Sequence, residues 1–131
     1  MGSFANYAEN KILDHIVGKT SFTLPTAYLA LSTADPTDAG TGLAEPSGNN
    51  YSRKQTAAAD WNAASSGSIA NANDLSFPEA SGSWGTITHF AIFDAASGGN
   101  MLAHGSLTAS KAVGAGDVLK FAAGNLTLTL D

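Results

Sequence analysis

The sequence predicts a mainly β fold: a single-domain β-sandwich or flattened barrel of six to eight short antiparallel strands, with one N-terminal α-helix. Three observations lead there. Only the N-terminal stretch repeats its apolar residues with helical spacing. From residue 25 onward, short runs rich in β-branched and aromatic residues alternate with turns rich in glycine, serine and asparagine. The length, 131 residues, leaves room for one hydrophobic core, so residues 1–131 are read as one domain.

The helix is expected over residues 3–17. Ser3 is placed to cap it, Phe4, Ala8, Ile12 and Ile16 form its stripe, Leu13 widens that stripe, and Gly18 supplies a stop. Glu9, Lys11 and Asp14 occupy the other face, so the helix should lie with one side on a core.

The sandwich is expected over residues 25–131. Its first strand, around Tyr28-Leu29-Ala30-Leu31, is apolar on both alternating sets, the pattern of a strand buried on two faces or at a subunit contact. Residues 35–50 hold two prolines and three glycines and read as a long loop. Loops of that length tend to order against something, which makes this one a contact candidate.

Residues 51–61 suggest a weak strand, and residues 62–74 offer little to bury. Leu75-Ser76-Phe77 reads as a short strand. The strongest β signal is 86–93, joined through Gly98-Gly99 to 101–107 as a hairpin. A turn at Gly114-Ala115-Gly116-Asp117 leads to strands at 118–121 and, with clean alternation, 126–130.

Composition narrows the function classes. Charged residues make up 13% of the chain and the net charge is −5; the few basic residues are scattered, so a nucleic-acid partner is not expected. No cysteine is present, so neither disulfides nor thiolate metal sites enter. The start lacks a signal-peptide pattern and no apolar run reaches ~18 residues; no membrane partner is expected, and assembly should occur in cytoplasm-like solvent.

Chemistry is sparse. His15, His89 and His104 have no metal-ligand spacing, although His89 and His104 become cross-strand neighbours if the 86–107 hairpin is regular. Asp35-x-x-Asp38 could offer oxygens to a cation, but an Asp capping its own turn before Pro36 is the simpler reading. Neither a nucleophile elbow nor a phosphate-binding glycine loop is found. The expectation is no catalytic residues, no metal and no cofactor.

A resemblance then adds to these readings. Leu75-Ser76-Phe77-Pro78, Trp84-Gly85-Thr86-Ile87-Thr88-His89-Phe90, Ser97-Gly98-Gly99-Asn100 and Ala123-Gly124-Asn125-Leu126, with Tyr28-Leu29-Ala30-Leu31 and Tyr51-Ser52-Arg53 upstream, are similar to a family of small bacteriophage virion proteins labelled tail fibre or minor capsid proteins. That resemblance implies a structural component of the particle with no attached activity; it leaves head and tail open. Physically, Trp84 beside Gly85 should plug the core at a tight turn, and Gly98, Gly99, Gly116 and Gly124 should supply positive φ.

The resulting expectation is a non-enzymatic capsid decoration or minor capsid protein of the virion. It would be a homo-oligomer, a trimer first, contacting the major capsid protein or tail proteins. The alternatives are a tail-associated fibre or baseplate piece touching host glycans through Tyr51 and Trp61, or a glycan-binding adhesion module. The expected contact residues are Phe4, Ile12, Ile16, Tyr28, Asp35, Asp38 and Tyr51.

Overall fold

Nine strands and one α-helix follow one another in the computed structural model, which describes residues 2–130. They are β1 (Gly2–Phe4), α1 (Asn6–Ile16), β2 (Tyr28–Ser32), β3 (Lys54–Gln55), β4 (Ser68–Ala70), β5 (Leu75–Ser76), β6 (Gly85–Phe93), β7 (Met101–Val113), β8 (Lys120–Phe121) and β9 (Thr127–Thr129). Seven strands form one curled sheet in the order β3-β2-β6-β7-β1-β9-β4, and β5 pairs with β8 in a second, smaller sheet. The mainly β architecture with one helix is therefore as the sequence indicates.

The helix is shorter than expected, starting at Asn6 in place of residue 3. Residues 2–4 are taken by the sheet, where β1 runs antiparallel to β7 and parallel to β9. Gly2 is suited to that slot because a Cβ there would lie 2.7 Å from both Leu128 Cδ2 and Phe90 Cζ. Ser3 faces His104 across the ladder and caps nothing; Ala5 holds the N-cap position without a side-chain bond. The stop is as expected, with Gly18 donating to the His15 carbonyl at φ +77°.

The central hairpin β6–β7 anchors the sheet. Tyr28-Leu29-Ala30-Leu31-Ser32 pairs residue for residue with Phe93-Ile92-Ala91-Phe90-His89. Leu29, Leu31, Ile87, Phe90 and Ile92 point to one side and join Leu75, Phe77, Trp84, Leu119 and Phe121 in the main core. Ala30, Ala91, Phe93 and Met101 point to the other, where Leu43 packs against them. Both faces of β2 are thus buried, and the cover on the second face is the chain's own long loop.

Several strands depart from their expected spans, and β4 forms at Ser68–Ala70, inside the 62–74 stretch read as offering little to bury. β7 extends to Val113, but in two ladders: Ile87 pairs with Lys111 and His89 with Ser106, so residues 107–110 bulge opposite Thr88. Only Lys54–Gln55 and Lys120–Phe121 form strands where 51–61 and 118–121 were read, because most of each segment bonds to turns. Within 62–74, Asn71 is fully buried: its amide donates to the Asn73 and Ala122 carbonyls at 2.8 and 3.0 Å, and its oxygen accepts from Leu126 N–H at 2.9 Å.

Trp84 fills the expected role, buried next to Gly85 at φ +82° with its indole N–H donating to the Asn49 carbonyl at 2.9 Å. Gly98, Gly99, Gly116 and Gly124 all have positive φ.

Candidate interaction surface

The main core is only partly roofed. The β5–β8 sheet covers one end of its face; the other end, over β7, β1, β9 and β4, is flanked by α1 and by residues 20–27. Between them runs a groove of about 410 Å³ in which every lining residue is apolar or aromatic. Ala8 and Ile12 of α1 and Phe4 of β1 line it together with Phe22, Leu24 and Pro25. Ile92, Leu102 and Leu128 supply the sheet side, and Trp61 and Ile69 close the far end.

Beside this groove stands an apolar ridge. Leu13, Ile16, Val17 and Leu24 are exposed by 63, 74, 75 and 92% respectively. Ile16 lies one turn beyond Ile12 on the same helix face, so groove and ridge form one surface. A continuous apolar surface of this kind marks a binding site on a folded domain.

The expected contact residues divide into two groups. Phe4, Ile12 and Ile16 come together at this surface, whereas Tyr28, Asp35, Asp38 and Tyr51 belong to the other side of the sheet or its edge. Sequence reasoning passed over Phe22, Leu24 and Pro25, and considered Trp61 only as a glycan contact. The signal available was Phe22-x-Leu24 directly before Pro25, an alternating apolar pair with no strand to belong to.

On the opposite face, polar clamps hold residues 33–53. Arg53, almost fully buried, donates Nε and Nη2 to the two Glu45 oxygens at 2.8 and 2.9 Å and Nη1 to the Ala95 and Gly98 carbonyls at 2.8 Å each. Its guanidinium carbon lies 3.9 Å from the centroid of the Phe93 ring. Tyr51 Oη accepts from Leu31 N–H at 3.1 Å and donates to Glu45 at 2.6 Å. Burial and the Glu45 carboxylate push the Tyr51 hydroxyl well above the usual tyrosine range.

Asp35 caps its own turn, accepting from Thr37 N–H at 2.9 Å, as the simpler reading of that motif had it. Asp38 Oδ1 lies 2.7 Å from His104 Nε2, and Asp35 Oδ1 lies 3.9 Å from Nδ1. The hairpin register, set by the turn at 94–100 and a one-residue shift between Ile92 and Phe93, pairs His104 with Ala91 and His89 with Ser106, so the two histidines are not directly opposed. His89 instead bonds Thr88 at 2.8 Å, and His15 Nδ1 accepts from Phe22 N–H at 3.1 Å. Among the described residues, no three His, Asp or Glu side chains gather as a metal site.

Tyr51 and Trp61, the aromatic residues considered for a glycan platform, are half-buried. The Trp61 indole donates to Thr56 and the Tyr51 hydroxyl to Glu45, so their polar atoms serve the chain's own packing.

A family described as Podophage GP4 fiber I protein gp80 matches residues 3–129. The chain belongs to this family. It is therefore a bacteriophage structural protein of a fibre family, a component of the virion. The fibre description supports the tail-associated alternative over head decoration. No curated protein matches the chain.

Proposed function

We propose that this fibre-family protein is a tail-associated module that acts by contact and not by catalysis, using its apolar groove and ridge to dock a protein neighbour in the particle. The observation that carries the reading is the all-apolar groove running into exposed Leu13, Ile16 and Leu24. Such a surface is costly to leave in water, at roughly 25 cal/mol per Å² of apolar area, and association removes that cost. A contact role is supported by the histidines, each of which holds a different structural partner. Assembly in the host cytoplasm and repetition by the symmetry of the particle belong to the same reading.

The test uses particles that lack the protein. Gold-labelled protein added back should decorate the tail in electron micrographs, and Leu24→Glu should abolish decoration while leaving the melting curve unchanged. Label on the head, or no label on either part, overturns the tail assignment.

A further inference from the structure

We infer that the groove and ridge form a two-fold self-association surface, in which the exposed helix ridge of one copy inserts into the groove of a second. This rests on reading the surface as a docking site and names its occupant. Helix α1 carries more apolar circumference than its own core uses. At about 100° per residue, Ala8, Ile12 and Ile16 make one apolar stripe and Leu13 and Val17 a second beside it at the C-terminal end of the helix, with Glu9 between the two on the first turns. Ala8 alone is fully buried. The surplus residues are the ridge, aliphatic like most of the groove beside it.

Two features point to a second copy as the occupant. The first is placement: ridge and groove share Leu24 and adjoin through Ile12 and Ile16, so both halves of the contact sit on one patch. A patch that carries both the projection and its receptacle is self-complementary, which generates a closed two-fold pair. A heterologous ring, such as the trimer first expected, needs two separate patches.

The second feature is charge. The sequence carries −5, so two copies repel over most of their surface. Residues 2–27 are the exception, with Glu9 and Asp14 balanced by Lys11 and Lys19; the other positions hold nine acidic and four basic residues. The N-terminal segment is thus the neutral part of an acidic protein, with Asp94 the acidic residue that joins it beside Leu24 and Pro25, and two identical copies meet there with less repulsion than elsewhere.

Light scattering of the purified protein over a hundred-fold concentration range should give a mass rising to two chains. Ile16→Glu and Leu24→Glu alter side chains that are largely exposed; each should reduce the mass to one chain at every concentration while the circular-dichroism melting curve stays in place. A wild-type mass of one chain throughout, a mass of three or more chains, or a dimer that survives both substitutions overturns the inference. Tail decoration by wild-type protein that scatters as a monomer would overturn the self-pairing alone and leave the tail reading standing.

Discussion

Asn71 shows how much one buried side chain can hold. Its amide and carbonyl tie β4 to the turn after β8 and to the start of β9. Asn71→Ala leaves the Leu126 N–H without its acceptor and the Asn73 carbonyl without the Asn71 donor, and the Ala122 carbonyl keeps only the Asn125 N–H. A loss of about 2–3 kcal/mol is expected in urea denaturation. Titration is also a residue-scale matter. Burial alone would raise the Asp94 carboxyl, but the Asn100 backbone and side-chain N–H donors outweigh it and hold the carboxyl below its ordinary range. Asp60 is held low by the Ala57 N–H and by Asn73. A depressed folded-state value contributes stability above the unfolded value, near pH 4, which is lost as pH falls through the folded value. The hairpin turn at 94–100 should therefore loosen below about pH 4, seen as faster amide exchange, and Asp94→Asn should abolish that pH dependence. Tyr51 runs the other way: its raised hydroxyl keeps the proton in the fold, so stability present below about pH 10 declines above it. Tyr51→Phe should move alkaline unfolding, followed by near-ultraviolet absorption, to higher pH.

At the scale of elements, the long segment between β2 and β3 behaves as a second wall for the sheet. It lacks regular structure because Pro36, Pro46 and the glycines forbid a ladder, yet Arg53, Glu45 and Tyr51 replace the missing backbone pairing with side-chain bonds. Arg53→Ala removes one partner of a largely buried pair and the cover over Phe93. A cost of about 3 kcal/mol is expected, together with loss of amide protection across residues 43–53. Gly42 is equally constrained: a Cβ there would collide with the Asp35 carbonyl oxygen, so Gly42→Ala should open the loop and lower the melting temperature. The existence of this loop was legible from its prolines and glycines. Its clamps were not, because Arg53 reaches carbonyls 42 and 45 residues away in sequence, and only the turn at Gly98-Gly99 brings them near.

For the whole molecule, charge and apolar surface oppose one another. A net charge of −5 keeps copies apart, while the apolar N-terminal face draws them together. Added salt screens the repulsion and leaves apolar burial intact, so sedimentation should show self-association strengthening as salt rises. Weakening with salt would mean that ion pairs, not the groove, dominate the contact. Ile16→Glu and Leu24→Glu should change unfolding free energy by less than about 0.5 kcal/mol, since exposed side chains contribute little to the isolated fold.

What could be read along the chain was what neighbouring residues decide: one helix with Gly18 as its stop, the hairpin around Gly98-Gly99, the double-sided burial of Tyr28-Leu29-Ala30-Leu31 and the plug at Trp84. Each depends on spacing within a few residues, which the order of side chains states directly. Tertiary structure decided the rest. It drew residues 2–4 out of the helix and into the sheet between β7 and β9, and it set the histidines out of register through the one-residue shift between Ile92 and Phe93. It also assembled the groove from Phe4, Phe22, Trp61, Ile69 and Leu128, residues from five separate segments. Such a surface has no local signature, because what makes it a site is the roof that the smaller β5–β8 sheet leaves incomplete.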